Sequence, residues 1–343
     1  MRGKGINYDT GFINSAGVST HEPFDPEIVK REMRVIRDDL HCNAVRITGG
    51  DVDRLEIAAI HAAAAGLEVW LCPFTCDLTT DELLNFLADC AERAERLRQQ
   101  GAEIVLLTGS ELGLFTKGFL PGETIAERLA LVADPLRVRP MIGEVRARIN
   151  DFLRRAVDVV RARFGGKVSY AALPLDGVDW APFDIIATDA AYRSAATAER
   201  YRENIRAFVA QGRAQGKPVA VTEFGCGTHR GAADMAGHGA SIMVWGDDGR
   251  SARLSGDYVR DEDEQAAYLR ELLEVFEAEG VDSAFVYTFA IFNLPHRIDP
   301  REDLDMASYG VVKVLEGRLG HTYPDMAWEP KAAFTTLADY YRG

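Results

Sequence analysis

The sequence predicts an α/β protein, a (β/α)8 TIM barrel forming a single domain over residues 1–343. Three observations predict this fold. Eight short apolar runs recur along the chain, and nearly all of them are followed by a longer segment with helical periodicity. The apolar runs are continuous instead of alternating with polar residues, which is typical of parallel strands buried on both faces. Eight such units in one chain indicate a closed barrel.

The predicted strands are the apolar runs themselves, bounded by Gly, Pro and polar residues. In chain order they cover residues 5–8, 43–47, 67–71, 103–107, 167–172, 184–187, 218–222 and 283–289. Between strands four and five, a loop rich in Gly, Pro and Phe precedes the helix. The link between strands five and six is too short for a full-length helix. The segment after strand seven, up to about residue 258, is unusually long for a loop, and this length favours a functional role such as a lid.

The predicted helices carry start and stop signals. Pro26 follows Asp25 and suits the first turn of a helix. Glycine ends four of the helical patterns, where it can adopt the left-handed conformation. The helices are expected over residues 26–40, 52–65, 80–100, 140–164, 196–215, 262–279 and 331–341.

A doubly wound open sheet is the alternative architecture. That fold would place a Gly-rich phosphate-binding turn after the first strand. The segment there, Tyr8-Asp-Thr-Gly11, does not have this pattern. The sequence therefore favours the barrel.

Charge, apolar runs and cysteine content indicate which partners and which compartment to expect. The chain has 39 Lys and Arg against 53 Asp and Glu, a net charge of −14, so we expect no nucleic-acid partner. No apolar run is long enough to cross a membrane, and no apolar signal region precedes the first strand, so we expect a cytoplasmic protein without a membrane partner. The five cysteines have irregular spacing, which indicates free thiols in a reducing compartment. Nothing in the sequence indicates the oligomeric state.

Two glutamates stand at the ends of predicted strands. Glu111 follows strand four and Glu223 ends strand seven, each beside Gly and small polar residues. Catalytic residues of such barrels gather at the C-terminal ends of strands, and these two would face each other across the barrel mouth. Paired carboxylates cleave a glycosidic bond when one protonates the leaving oxygen and the other attacks the sugar, with retention when they lie about 5–5.5 Å apart. Alternatively, either glutamate is a member of a structural ion pair.

The layout resembles the retaining glycoside hydrolases of clan A. Thr222-Glu-Phe-Gly225 is similar to the nucleophile segment of that clan, and Gly109-Ser-Glu-Leu112 resembles the Gly-Thr-Glu-Leu acid/base segment of a family of endo-β-mannanases. The resemblance implies that Glu111 is the acid/base and Glu223 the nucleophile. It also implies that Arg46 supports the nucleophile. Most of the clan has Asn where this chain has Ser110, which puts the usual contact with the sugar 2-hydroxyl in doubt.

Further candidate substrate-binding residues follow the predicted strands. The resemblance implies that Tyr192, after strand six, orients the nucleophile. The clan commonly places a Trp at strand eight, where this chain has Tyr287 and Phe289. Trp180 is a candidate platform for a sugar ring, with buried packing as the alternative. The remaining candidates at strand ends are Asn7, Tyr8, Asp9 and Asp176, with Asp77, Asp189, Phe292 and the loop residues His229, His238 and Trp245 ranked lower.

Other chemistries have weaker support in the sequence. The seven His residues show no pair at zinc-ligand spacing. Asp303 and Asp305 are too few carboxylates to indicate a calcium site. Lys167 begins its strand at the end away from the mouth, which disfavours a Schiff-base mechanism. We therefore expect no cofactor and no metal.

The sequence as a whole predicts a retaining glycosidase acting on a β-linked oligosaccharide or a glycosylated small molecule. One alternative is a non-catalytic barrel that binds carbohydrate or another partner, because Ser110 and the missing strand-eight Trp both depart from the clan pattern. Some proteins that resemble this chain carry an abortive-infection label, which names no chemistry. Another alternative is a metal-assisted hydrolase on the same fold. The sugar, its linkage, and endo or exo action stay open.

Overall fold

Eight parallel strands close into a barrel in this computed structural model, which describes residues 1–246 and 249–343. Each strand pairs with the next along the chain, and the eighth pairs with the first, as in Gly5 with Phe285. The predicted fold is confirmed. The barrel strands are β1 (Gly3–Asp9), β2 (Ala44–Gly49), β3 (Glu68–Pro73), β4 (Ile104–Ser110), β5 (Lys167–Ala172), β6 (Ile186–Thr188), β7 (Val219–Phe224) and β8 (Ser283–Val286).

Helices surround the barrel, and several of them begin with a side-chain N-cap. Asp25 caps the first helix, whose first residue is Pro26, and Thr79 forms a capping box with Glu82 at the third. The helices are α1 (Pro26–Arg34), α2 (Val52–Ala64), α3 (Thr80–Gln99), α4 (Leu112–Phe115), α5 (Ile125–Val132), α6 (Pro135–Val138), α7 (Ile142–Arg161), α8 (Ala198–Ala214), α9 (Ala232–Met235), α10 (Glu262–Glu279) and α11 (Ala332–Arg342).

The structure differs from the sequence prediction mainly in the connections. The segment between β4 and α7, predicted as a loop, contains α4, α5 and α6. The segment after β7 contains α9, a 3-10 segment and a hairpin of Met243–Trp245 with Ser251–Leu254. A second small antiparallel pair, Val312–Val314 with Trp328–Pro330, follows β8. As the sequence predicts, no helix is found between β5 and β6 in the described structure.

The core has two parts. The larger part lies between the strands and the helices, as expected for a barrel in which neighbouring side chains of a strand point to opposite faces. A smaller apolar cluster fills the barrel interior around Trp70 and Phe285, whose ring centroids are 4.7 Å apart. Polar interior side chains, Asn7 and Arg46 among them, are fully buried beside the site described below.

Within the described residues, no helix is both long and apolar enough to span a bilayer. All five cysteines are free, and four of them are buried.

Candidate active site

Glu111 stands where β4 turns into the short helix α4. Its backbone is in the left-handed region (φ 50°, ψ 39°), which is unusual for a residue with a side chain. The amide of Glu111 donates to the carbonyl of Ala171 on β5 (3.0 Å), and the Tyr170 hydroxyl accepts from the next amide, that of Leu112 (2.8 Å). These bonds hold the turn in a conformation that is otherwise unfavourable by about 1 kcal/mol or more.

Gly109 makes this turn possible. Its φ is +126°, and a β-carbon at this position would lie 2.9 Å from the Leu112 side chain. Glycine has no β-carbon and tolerates this conformation. The Gly-Ser-Glu-Leu motif is therefore explained locally by the turn that carries Glu111 at the barrel mouth.

Glu223 ends β7 and is held by two donors from other strands. Arg46 on β2 donates to one carboxylate oxygen (2.8 Å), and the Tyr192 hydroxyl, after β6, donates to the other (3.1 Å). Gly225 lets the chain leave β7 closely packed, because a β-carbon there would lie 2.5 Å from the carbonyl oxygen of Tyr287. Both oxygens of Glu223 therefore have fixed positions.

Asp189 is a third carboxylate in the site. Its side chain accepts from Arg46 (3.2 Å) and from the hydroxyl of Ser110 (2.6 Å), and it is almost fully buried. Arg46 thus bridges Asp189 and Glu223, and it also donates to the Asn7 side chain (3.1 Å). One carboxylate oxygen from each of Glu111, Asp189 and Glu223 lies within 4.8 Å of the others.

The environment of the two glutamates differs in a way that matters for proton transfer. Burial, followed by the negative charges of Glu223, Asp189 and Asp176, raises the pKa of Glu111 well above its usual range. Burial and the charge of Asp189 raise the pKa of Glu223 to about 7, while the guanidinium of Arg46 and the Tyr192 hydroxyl act in the opposite direction. No hydrogen bond reaches the Glu111 carboxylate from the residues that the structure describes. A single proton shared by the pair therefore belongs on Glu111.

Two tyrosines of the predicted set line the site with partly exposed rings. The glutamates are among the charges that raise the pKa of Tyr192 and of Tyr287, after burial as the largest cause. Tyr309 packs against both rings at centroid distances of 6.2 and 5.7 Å. Its hydroxyl accepts from the amide of Gly239, so the segment after β7 is fastened to this flank of the site.

Other predicted residues lie near the glutamates but are occupied by protein contacts. Asn7 is fully buried and donates to the carbonyls of Thr222 (2.9 Å) and Val286 (3.2 Å). Asp176 is fully buried and accepts from the Tyr170 hydroxyl (2.7 Å) and the amide of Leu173 (2.9 Å). The Ser110 hydroxyl is used by Asp189. These residues, with Arg46, support the site from beneath.

The structure places Tyr8, Phe289 and Trp180 away from the two glutamates, and it gives Asp9 hydrogen bonds to the backbone. Tyr8 points outward from the barrel, where its buried hydroxyl donates to Glu32 of α1, because it is the strand neighbour of inward-pointing Asn7. Phe289 packs with Tyr8 and with Trp328 in the same outer core. Trp180 packs on Phe183 on the flank of the barrel, and Asp9 accepts from backbone amides of the turn that follows β1.

The lower-ranked candidates also have defined contacts. Asp77 pairs with buried Arg128, and Phe292 stacks on His21 at 3.6 Å. His229 is buried against the Met306 carbonyl, whereas His238 is exposed and Trp245 is 52% exposed. Arg260 pairs with both Asp303 and Asp305, and Lys331 pairs with Asp305, so these carboxylates hold cationic side chains.

Asp189 was only a lower-ranked candidate, and Tyr309 was not predicted as a member of the site. Asp189 directly follows strand six, so its position was a signal, but Tyr192 three residues later was ranked above it. Tyr309 lies far beyond strand eight in a segment with no motif. The sequence offers no sign that this tyrosine returns to the mouth.

Comparison with solved structures agrees with the barrel. The chain is similar to a GH113 beta-mannanase, AaManA from Alicyclobacillus acidocaldarius in complex with ManMIm (TM-score 0.58, 16% identity, 99% of this chain and 97% of that one). It is also similar to Thermotoga maritima Cel5A in complex with a mannotriose substrate (TM-score 0.51, 11% identity, 88% and 95%). A third is ZgEngAGH5_4 in complex with a cellotriose (TM-score 0.52, 11% identity, 89% and 94%). No protein-family model and no curated protein sequence matches the chain.

Proposed function

We propose that the protein is a retaining glycoside hydrolase that cleaves a β-linked oligosaccharide or a glycosylated small molecule, with Glu111 as acid/base and Glu223 as nucleophile. One observation carries the proposal. The carboxylates of Glu111 and Glu223 approach within 4.8 Å, and among the described residues a cationic side chain pairs with Glu223 but not with Glu111. This separation suits a covalent mechanism, since inverting enzymes leave about 6.5–9.5 Å for a water molecule.

In the first step, Glu223 attacks the anomeric carbon while Glu111 gives its proton to the glycosidic oxygen. The bond between carbon and oxygen breaks, the aglycone leaves as an alcohol, and a glycosyl ester of Glu223 forms. In the second step, Glu111 takes a proton from water, the resulting hydroxide oxygen bonds to the anomeric carbon, and Glu223 leaves as a carboxylate. Two inversions give net retention.

The surroundings fit these roles. Arg46 and Tyr192 contact both oxygens of Glu223, which favours its ionised form and fixes the orientation of the nucleophile. The neighbouring carboxylates favour the protonated form of Glu111, and no described side chain donates a hydrogen bond to its carboxylate. The titles of the similar structures name a beta-mannanase and complexes with mannotriose and cellotriose, which supports a β-linked glycan as the substrate class. Free cysteines support a reducing, cytoplasmic compartment. A glycosidase in that compartment would take part in carbohydrate metabolism.

The test is the hydrolysis of a panel of aryl β-glycosides by wild type and by Glu111→Ala and Glu223→Ala. Each variant should lose almost all activity. Azide should restore turnover of an activated aryl glycoside in both, but with different products: the β-glycosyl azide from Glu111→Ala and the α-glycosyl azide from Glu223→Ala. Full activity in either variant would overturn the assignment. Measurable sugar binding by a wild type that turns over nothing would instead favour a non-catalytic carbohydrate-binding barrel.

A further inference from the structure

Three phenylalanines from three different loops meet at the barrel mouth. Phe12 follows β1, Phe74 follows β3 and Phe115 ends α4, and we call them the phenylalanine platform. Their ring centroids are 4.8–5.6 Å apart, with two edge-on pairs and one tilted pair. All three side chains are only partly buried. Partly exposed aromatic rings gathered from separate loops form an apolar surface that is available to a ligand.

The platform adjoins the acid/base side of the site. The amide of Phe115 donates to the carbonyl of Glu111 (3.1 Å), so the two residues are one helical turn apart. Residues at this spacing project from the same side of a turn. On the opposite flank of the site, around Glu223, lie Tyr192, Tyr287 and Tyr309. Rings with hydroxyls therefore flank the nucleophile, and rings without them flank the acid.

Polar contacts hold the loops that carry the platform, and none of the contacts named here involves the phenylalanine rings. Asp9 accepts from the amide of Phe12 (3.1 Å). The hydroxyl of Ser15 donates to Asp77 (2.5 Å), and fully buried Arg128 also donates to Asp77 and to the carbonyls of Leu114 and Gly122. The loops after β1, β3 and β4 are thereby joined into one rim. Asp9 therefore helps to hold the loop that carries Phe12.

We infer that the phenylalanine platform binds the leaving group of the substrate and selects glycosides with an apolar aglycone. This inference rests on the proposed function. An acid that protonates the glycosidic oxygen must face the leaving group, so the group that departs lies on the Glu111 side. A phenylalanine ring offers no hydrogen bond in place of those that sugar hydroxyls make with water. Burial of an alkyl or aryl group against the same ring is favourable, because it removes apolar surface from water.

Methyl and octyl β-D-mannopyranosides and β-D-glucopyranosides test the inference, because the leaving alcohols of each pair have similar acidity and differ in apolar area. Wild type should show a higher kcat/KM for the octyl than for the methyl glycoside of the sugar that it turns over. Phe12→Ala should reduce this preference by about tenfold or more, and Phe12→Leu by less. Hydrolysis of the β-glycosyl fluoride of the same sugar should fall much less than hydrolysis of the octyl glycoside in both variants, since fluoride is too small to reach across the platform.

The matched control is Phe208→Ala, which removes a partly buried phenylalanine from α8 on the flank of the barrel. It should keep the wild-type preference. An unchanged preference in Phe12→Ala would overturn the inference alone, as would a loss on the fluoride equal to that on the octyl glycoside. A wild type that hydrolyses neither glycosides nor fluorides would overturn the proposed function, and the inference with it.

Discussion

The two glutamates are the same residue type, and their surroundings make them chemically different. Arg46 and Tyr192 contact Glu223, while Glu111 has carboxylates as its main charged neighbours. Two groups whose environments separate their affinity for a proton are suited to acid and nucleophile roles. The roles assigned to Glu111 and Glu223 therefore depend on residues that do no chemistry themselves.

The pH profile follows from this separation. kcat/KM should rise with pH as Glu223 ionises, around its pKa of about 7, and fall at higher pH as Glu111 loses its proton. In Glu111→Gln the alkaline fall should disappear for a 2,4-dinitrophenyl glycoside, whose leaving group needs no acid. Steady-state kinetics across the pH range check this. An alkaline limb that persists in Glu111→Gln would exclude Glu111 as the acid.

Arg46 is a positioning residue, and its substitution separates support from folding. Arg46→Lys keeps a positive charge but cannot hold Glu223 and Asp189 with two nitrogens at once. The loss of a charge-assisted hydrogen bond, about 1.5–3 kcal/mol, should lower kcat roughly ten- to hundredfold. The acid limb of the pH profile should also move upward, because the Arg46 guanidinium lowers the pKa of Glu223. Arg54→Lys, a change on α2 that leaves Glu223 untouched, is the control.

For single residues, the sequence predicts which side chains stand at strand ends but not whether they point into the barrel or outward. Glu111 and Glu223 were identifiable because each lies within a few residues of the end of an apolar run. Tyr8 and Asn7 are equivalent in that respect, yet one faces α1 and the other the barrel interior. The direction of alternation is set by the register of the closed sheet, which the sequence of one strand does not contain.

Elements with strong local signals were predictable, and those without them were not. The long helices α3 and α10 and the buried strands β2 and β4 follow from periodicity and caps. The four-residue helices α4 and α6 are too short to show a helical period, and they are stable only through packing. Arg128 on α5 fixes this part of the mouth, and no pattern in the sequence predicts a buried arginine there.

The helix α1 contains a buried charge with a measurable consequence. Glu32 is fully buried, and it accepts from Trp328 (2.8 Å) and from Tyr8. Burial raises the pKa of Glu32 to about 7. A carboxyl with a raised pKa in the folded state gives its full stability below its unfolded value and loses it as pH rises through the folded value. The native state therefore loses stability between about pH 5 and pH 8 through this group.

Glu32→Gln tests this prediction, since glutamine keeps the shape and stays neutral. Relative to wild type, the free energy of unfolding of the variant should increase by about 2 kcal/mol between about pH 5 and pH 8. Urea denaturation at each pH measures it. Glu27→Gln, an exposed position on the same helix, should show no such trend. If the difference in unfolding free energy between Glu32→Gln and wild type does not change with pH, the pKa of Glu32 is not raised in the folded state.

At the scale of the whole molecule, barrel closure assembles the site. Glu111, Asp189 and Glu223 follow β4, β6 and β7, and Arg46 comes from β2 on the far side. The number of strand units in the sequence predicted the closure, and closure predicted which ends would meet. Asp189, the third carboxylate, was only a lower-ranked candidate, because its position after strand six does not show that its side chain points toward Arg46.

Three carboxylates within 4.8 Å could also hold a divalent cation. Metal removal therefore tests whether the site works as a glycosidase or as a metal-assisted hydrolase. Arg46 already donates to two of the three, at 2.8 and 3.2 Å, and so supplies the positive charge that a metal would bring. We therefore expect protein purified without a His tag to keep its glycosidase activity after dialysis against EDTA. Adding Mg²⁺, Mn²⁺ or Zn²⁺ should then increase the rate by less than about twofold, far below the several kcal/mol of stabilisation that a catalytic ion provides. A loss on dialysis that one of these ions reverses would instead assign the three carboxylates to a metal-assisted hydrolase.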